Sequence, residues 1–244
     1  MTILRAENIT KLYGSEKILD NVNIELKDGE IISLLGVSGV GKTTLFNVLS
    51  GIIKPDNGNV MLRDEDITGK PGKVTYMLQK DLLLPHKRII DNVSLPLLVK
   101  GIRKKEARQK VLEYFKEFGL EGCEYKYPCQ LSGGMRQRAA FFRTYMSSNG
   151  VVLLDEPFSA LDAITKANIH KWFLEMMNKL KISIIFITHD IDEAIQLSDR
   201  IYVLSGKPGR IKEEIYIEQQ KPRNEEFQFT TEYVSYKKRI MKSL

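Results

Sequence analysis

The stretch "GVSGVGKTT", Gly36 to Thr44, restricts what this chain can fold into more than any other feature. It matches G-x-x-x-x-G-K-[ST] at Gly36, Gly41, Lys42 and Thr43, after the apolar run "IISLL" and before the helical pattern "TTLFNVLSGII". A strand, a glycine-rich turn and a helix in that order form a cradle for phosphate. Gly36, Gly39 and Gly41, spaced by Val37, Ser38 and Val40, let successive N–H groups turn inward. The N-terminus of the following helix adds partial positive charge. Lys42 is expected to reach the β- and γ-phosphates, the Thr43 hydroxyl to ligate Mg²⁺, and Thr44 to assist.

The rest of the chain supplies the sheet that such a loop needs. "ILRAENIT", "NVNIEL" and "IISLL" read as strands, followed by a helix over 43–53, the strand in "PDNGNVML" and the short strand "KVTYML". From about Ile89 to Ser147 the patterns are helical: "IIDNVSLPLLVKG", "KKEARQKVLEYFKEFG" and "GMRQRAAFFRTYM". Strand and helix then alternate again through "VVLLD", a helix over 163–180, "ISIIFIT", "DIDEAIQLS" and "RIYVLS". The runs "VVLLD" and "ISIIFIT" lack polar alternation, as parallel strands covered on both faces do. The expected fold class is therefore α/β. It has a P-loop NTPase core, a mixed and mainly parallel sheet with an antiparallel β subdomain, and an inserted α-helical subdomain over about 89–147. Residues 1–220 form the expected ATPase domain, and 221–244 a polar tail ending in a weak helix.

Asp155 ends "VVLLD", at the strand end where open α/β sheets hold ligands. It is expected to hold Mg²⁺ through water. Glu156 follows, and either activates the attacking water or caps the loop into Pro157. His189 ends "ISIIFIT"; it is a polar terminus or a contact to the γ-phosphate. Gln79 follows "KVTYML" and could contact Mg²⁺ or the lytic water.

A second glycine loop, "LSGGMRQR", is harder to place. Ser132 is a helix cap, and Gly133 and Gly134 open the next helix, which makes a second anion site. It lies in the helical insertion. If it cannot reach its own nucleotide, it must reach a partner's, which predicts a head-to-tail pair of chains around two ATP molecules.

These motifs together resemble the ATP-binding subunit of an ABC transporter. "GVSGVGKTT" resembles the Walker A loop, "VVLLDEP" the Walker B strand, "LSGGMRQR" the family signature, and "SALD" at Ser159–Asp162 the D-loop. "ITHD" resembles the switch-histidine loop and "YMLQKD" the Q-loop. Tyr13, in "KLYG", falls where that family stacks an aromatic on adenine. The resemblance implies that Ser132, Gly133 and Gly134 bind the γ-phosphate of the ATP held by the opposite subunit. "LLLPHKRIIDNV" and "DEPFSALDAITK" are similar to the importer branch for nitrate, sulfonates, taurine and pyrimidine-type thiamine precursors. The partners so implied are a second ATPase subunit, two membrane permease subunits and an extracytoplasmic solute-binding protein. The implied location is the cytoplasmic face of the membrane. Met135 stands where many members have Gln, and His86 where close relatives often have Trp. Leu82 to Leu84 either form a patch that meets the membrane partner or pack inside the helical lobe.

Composition excludes some rivals. No run approaches the roughly 20 apolar residues of a membrane span, and "MTILRAENITKLYG" carries no leader pattern. Cys123 and Cys129 lack metal-ligand companions and read as reduced thiols. The net charge of +6 permits nucleic-acid contact. However, the chain has no long coiled coil, no zinc-type cysteine cluster and one set of ATPase motifs, so no nucleic-acid partner is expected. An exporter or lipid-handling subunit remains the alternative.

Overall fold

In-and-out alternation of apolar residues builds the first sheet. β1 (Thr2–Tyr13) pairs antiparallel with β2 (Glu16–Lys27), with buried Leu4 opposite Leu26 and Ala6 opposite Ile24. The computed structural model describes residues 1–159 and 161–244. After β3 (Ile31–Leu35) and α1 (Lys42–Leu49) come β4 (Asn57–Leu62), β5 (Glu65–Asp66) and β6 (Thr75–Met77). Three helices follow, α2 (Ile89–Val99), α3 (Lys104–Leu112) and α4 (Gly133–Ser147). The chain then runs through β7 (Val151–Asp155), α5 (Ala163–Leu180), β8 (Ser183–Thr188), α6 (Ile191–Leu197), β9 (Arg200–Ser205), β10 (Arg210–Tyr216) and α7 (Thr231–Ser243).

The strands form two sheets, β2-β1-β4-β5 and β10-β9-β3-β8-β7-β6. In the second, β9, β3, β8, β7 and β6 are parallel and β10 is an antiparallel edge. β3 and β8 are buried at every position, as strands covered on both faces must be. One apolar cluster joins α2–α4 to α5 and the β6–β8 side of the sheet; another fills the space between the two sheets around α1. No described helix is long and apolar enough to cross a membrane.

Several elements differ from the sequence pattern. Helix α1 stops at Leu49 rather than at 53. Gly51 turns there at φ +75°, and a Cβ on it would lie 2.5 Å from the Lys70 carbonyl oxygen. Helix α3 stops at Leu112 rather than at Gly119. The amides of Tyr114 and Phe115 bond three residues back, to Val111 and Leu112. That tighter winding seats Phe115 and Phe118 on Phe142, with Phe118 stacked at 4.3 Å. β10 is not signalled by its polar sequence. The tail is firmly seated: Phe227, Tyr233 and Ile240 share a buried cluster with Ala194, Ile195 and Ile215. Cys123 is buried and Cys129 exposed, both as free thiols.

Candidate active site

Four neighbouring strands deliver the candidate residues to one edge. In sheet order, β3 leads into Gly36–Thr44, β8 into His189, β7 into Asp155 and Glu156, and β6 into Gln79. All four ends are carboxyl ends, so the residues converge as the parallel topology requires. They line an open cavity of about 640 Å³, with Tyr13 and Ile18 from the antiparallel sheet forming another wall.

The glycine loop has little room to be anything else. Gly41 precedes α1 at φ +107°, and Gly39 lies at φ +80°. A Cβ on Gly36 would stand 2.5 Å from the Leu204 carbonyl oxygen. Gly36→Ala is therefore expected to displace the loop, costing about 1–3 kcal/mol of stability and weakening ATP binding. A fluorescent-ATP titration checks this; unchanged affinity would mean that β9 yields instead of the loop.

Lys42 Nζ donates to the carbonyls of Gly36 at 2.6 Å and Val37 at 3.0 Å. Burial pulls its ammonium below its ordinary pKa, opposed by Glu156 and Asp155. Its hydrogen bonds go to carbonyls, so a phosphate oxygen would supply an anion where none is bonded. With the N-terminus of α1 beside it, the cradle fits a nucleotide polyphosphate.

Asp155 is pushed above its ordinary pKa chiefly by burial, while hydrogen bonds from Tyr76 and Thr43 act the other way. Tyr76 Oη donates to Asp155 Oδ2 at 3.0 Å, and its phenol is held well above the usual range by burial and by that carboxylate. Asp155 and Thr43 form a sparse donor set that suits Mg²⁺, which completes its shell with substrate phosphates and water.

Both oxygens of Glu156 are engaged. Gln79 Nε2 donates to Oε2 at 3.1 Å, and His189 Nδ1 lies 3.2 Å from Oε1. Glu156 adopts a left-handed backbone at φ +44°. That conformation is costly for a residue with a side chain. It is fastened by the Glu156 amide to the Ile187 carbonyl at 3.1 Å and by the Ser159 hydroxyl to the Glu156 carbonyl at 3.0 Å. The turn carries the carboxylate across the strand ends toward His189.

Ser132, Gly133 and Gly134 do not line this cavity. Ser132 Oγ caps α4 by accepting from the Met135 amide at 3.3 Å. Gly133 opens onto a separate hollow of about 480 Å³ with Ser159 and Leu161, and Gln79 borders both. Gln137 fastens α4 to the Pro157 carbonyl. Arg143 donates to the carbonyls of Asp81 at 2.7 Å and Leu82 at 2.8 Å, anchoring the segment after Gln79. Leu83 is buried in the helical lobe, as the packing reading has it, whereas Leu82 is exposed. In "SALD", Ala160 lies outside the described residues; Asp162 caps α5 through the Thr165 amide at 3.0 Å.

Sequence patterns miss Tyr76 and Ile18. Tyr76 carries one signal, an aromatic hydroxyl in a short strand three residues before Gln79; Ile18 carries none.

Residues 19–159 match the ABC transporter family. An uncharacterized ABC transporter ATP-binding protein of Methanocaldococcus jannaschii is 39% identical over 245 residues, spanning 99% of this chain and 91% of that protein. The formylaminopyrimidine import ATP-binding protein ThiZ of Halalkalibacterium halodurans is 42% identical over 207 residues, 84% of this chain and 81% of its own length. Among solved structures, a dimeric bacterial ABC transporter cassette matches with a TM-score of 0.75 at 30% identity, covering 89% of this chain and all of that one (100%).

Proposed function

The chain belongs to the ABC transporter family, and on that premise we propose that it is the ATP-hydrolysing subunit of an importer for a small solute. The observation that carries the ATPase reading is the convergence of Lys42, Asp155, Glu156, Gln79 and His189 on one cavity. Import of a pyrimidine-type solute is favoured by the likeness to ThiZ; nitrate, sulfonate and taurine transport are the neighbouring readings. Residues 1–220 are taken as the ATPase domain, with its helical lobe at 89–147, and 221–244 as the tail.

In this reading Tyr13 stacks on adenine, and the amides of Gly36 to Thr44 and Lys42 hold the phosphates. Thr43 and Asp155 would hold Mg²⁺, with Gln79 lining the same cavity; the ion would screen phosphate charge. Glu156 accepts the proton of the attacking water. Gln79 and His189 each take one lone-pair direction of its two oxygens, so release of either widens the access of water to the carboxylate. His189, freed from Glu156, can then turn to the terminal phosphate. Closure against a second chain, bringing that chain's Ser132, Gly133 and Gly134 to the phosphates, supplies the displacement. Most of the catalysis is positioning and electrostatics.

Tyr13 is half exposed with Lys11 Nζ 5.8 Å from its ring centroid, so the ring offers a face to a base. Tyr13→Ala is expected to weaken ATP binding by about 1–3 kcal/mol, the worth of one base–aromatic stack. An unchanged dissociation constant would remove the stacking role.

The transport reading is tested by co-purifying the tagged chain from its native cells in mild detergent. Two multi-spanning membrane proteins, accompanied by an extracytoplasmic binding protein, support an importer. Membrane partners without a binding protein point to an exporter or lipid-handling assembly. Ribosomes or DNA would overturn transport altogether.

A further inference from the structure

Helix α6 begins two residues after His189 and is only seven residues long. A helix that short has little stability of its own, so its position is set by what packs on it. The C-terminal tail packs on both of its ends. At the N-terminal end, Asp192 accepts Tyr233 Oη at 2.5 Å and Lys237 Nζ at 2.8 Å. At the C-terminal end, Arg223 Nη1 donates to the carbonyls of Ile195 at 2.7 Å, Gln196 at 3.1 Å and Ser198 at 2.8 Å. Those are the carbonyls that a helix end leaves without partners, and a cation there also suits the helix dipole. Between the two ends, Phe227, Tyr233 and Ile240 bury Ala194 and Ile195.

From the other side, Lys166 of α5 reaches Asp190 at 3.3 Å and Glu193 at 2.7 Å. Asp190 is the next residue after His189 and caps α6 through the amides of Asp192 and Glu193. The His189 side chain is 64% exposed. Its imidazole is therefore placed by its backbone anchor more than by packing around the ring.

We propose that the C-terminal tail is a strap that holds the backbone anchor of His189 beside Glu156 by fixing α6, with Tyr233, Lys237 and Arg223 as positioning residues for ATP hydrolysis. This rests on the reading of His189 given above. Nucleotide binding should not depend on the strap, because Lys42 and the glycine loop are held by β3, β9 and α1. The hydrolytic step should depend on it, because that step needs His189 anchored where its ring can pass from Glu156 to the terminal phosphate.

The test uses the full-length chain. Tyr233→Phe with Lys237→Met removes the polar contacts to Asp192 and keeps the buried ring. Its kcat for ATP is expected to fall about fivefold or more, the equivalent of one ordinary hydrogen bond at its net worth. Its ATP dissociation constant is expected to stay within about twofold. The chain has three histidines, so the imidazole proton resonances can be assigned by substitution. That of His189 should shift in the tail variant while that of His86 stays. Tyr233→Phe alone should act in the same direction, which covers failure of the double variant to fold. Arg239→Met, which removes the tail's ion pair with Glu213 on β10 and leaves the Ser243 hydrogen bond to the same carboxylate, should leave kcat unchanged. Normal kcat in the double variant, or a loss of kcat with an unmoved His189 resonance, overturns the strap. His189→Ala separates the two layers: full activity there sinks the role of His189, whereas loss there with a normal tail variant sinks the strap alone.

Discussion

Glu156→Gln is expected to bind ATP and lose hydrolysis by about 10²–10⁴-fold, the usual contribution of a positioned general base. The substitution is nearly isosteric, so the left-handed turn at φ +44° and its fastening to Ile187 and Ser159 are kept. An amide can still meet Gln79 and His189 across the same 3.1 and 3.2 Å gaps. What it cannot do is take a proton from water. Binding and closure therefore proceed while reopening by hydrolysis does not, and a closed pair of chains should accumulate with MgATP. Steady-state turnover by phosphate release is the check. Wild-type turnover would remove Glu156 as the base and leave it as a structural residue of the loop into Pro157.

Gly134→Asp should give the complementary defect: ATP bound by single chains, with closure lost. Gly134 is buried at the start of α4, and a Cβ there would stand 3.0 Å from Thr165 Cγ2 and 3.7 Å from Ile169 Cδ1. A side chain is thus pressed against α5. It also places a carboxylate at the helix N-terminus that, in the proposed pairing, receives a partner's phosphate, so that two anions compete for one site. Hydrolysis should fall to the level of Glu156→Gln, while the ATP dissociation constant of the single chain stays near wild type. Ser132→Ala should weaken closure less, since it removes one capping oxygen worth about 1 kcal/mol. Normal ATP-dependent pairing in Gly134→Asp would show that the second glycine loop does not face the partner's nucleotide.

How much of this was legible in the sequence depended on whether the constraint is local. The loop from Gly36 to Thr44 is a local demand on the backbone, so the residue types announce it. The apolar runs before Asp155 and His189 announce buried parallel strands in the same way. Contacts across the sheet are different. Tyr76 meets Asp155 from 79 residues away and Gln79 meets Glu156 from 77 away, and no spacing rule encodes either pairing. The break after Leu112 is also non-local, because helical propensity there gives way to the seating of Phe115 and Phe118 on Phe142. The tail reads as polar because its hold on α6 runs through Arg223, Tyr233 and Lys237, whose heads find partners only once the chain is folded. β10 is likewise defined by its register with β9 rather than by its own alternation.

The central claim is that two copies of this chain share two nucleotides. It is tested most directly by native mass measurement of Glu156→Gln in MgATP, which reports chains and nucleotides in one species. Two chains of 28.0 kDa carrying two ATP molecules is the expected result, reverting to single chains in ADP. A single chain carrying one ATP, at concentrations where the site is saturated, would contradict it.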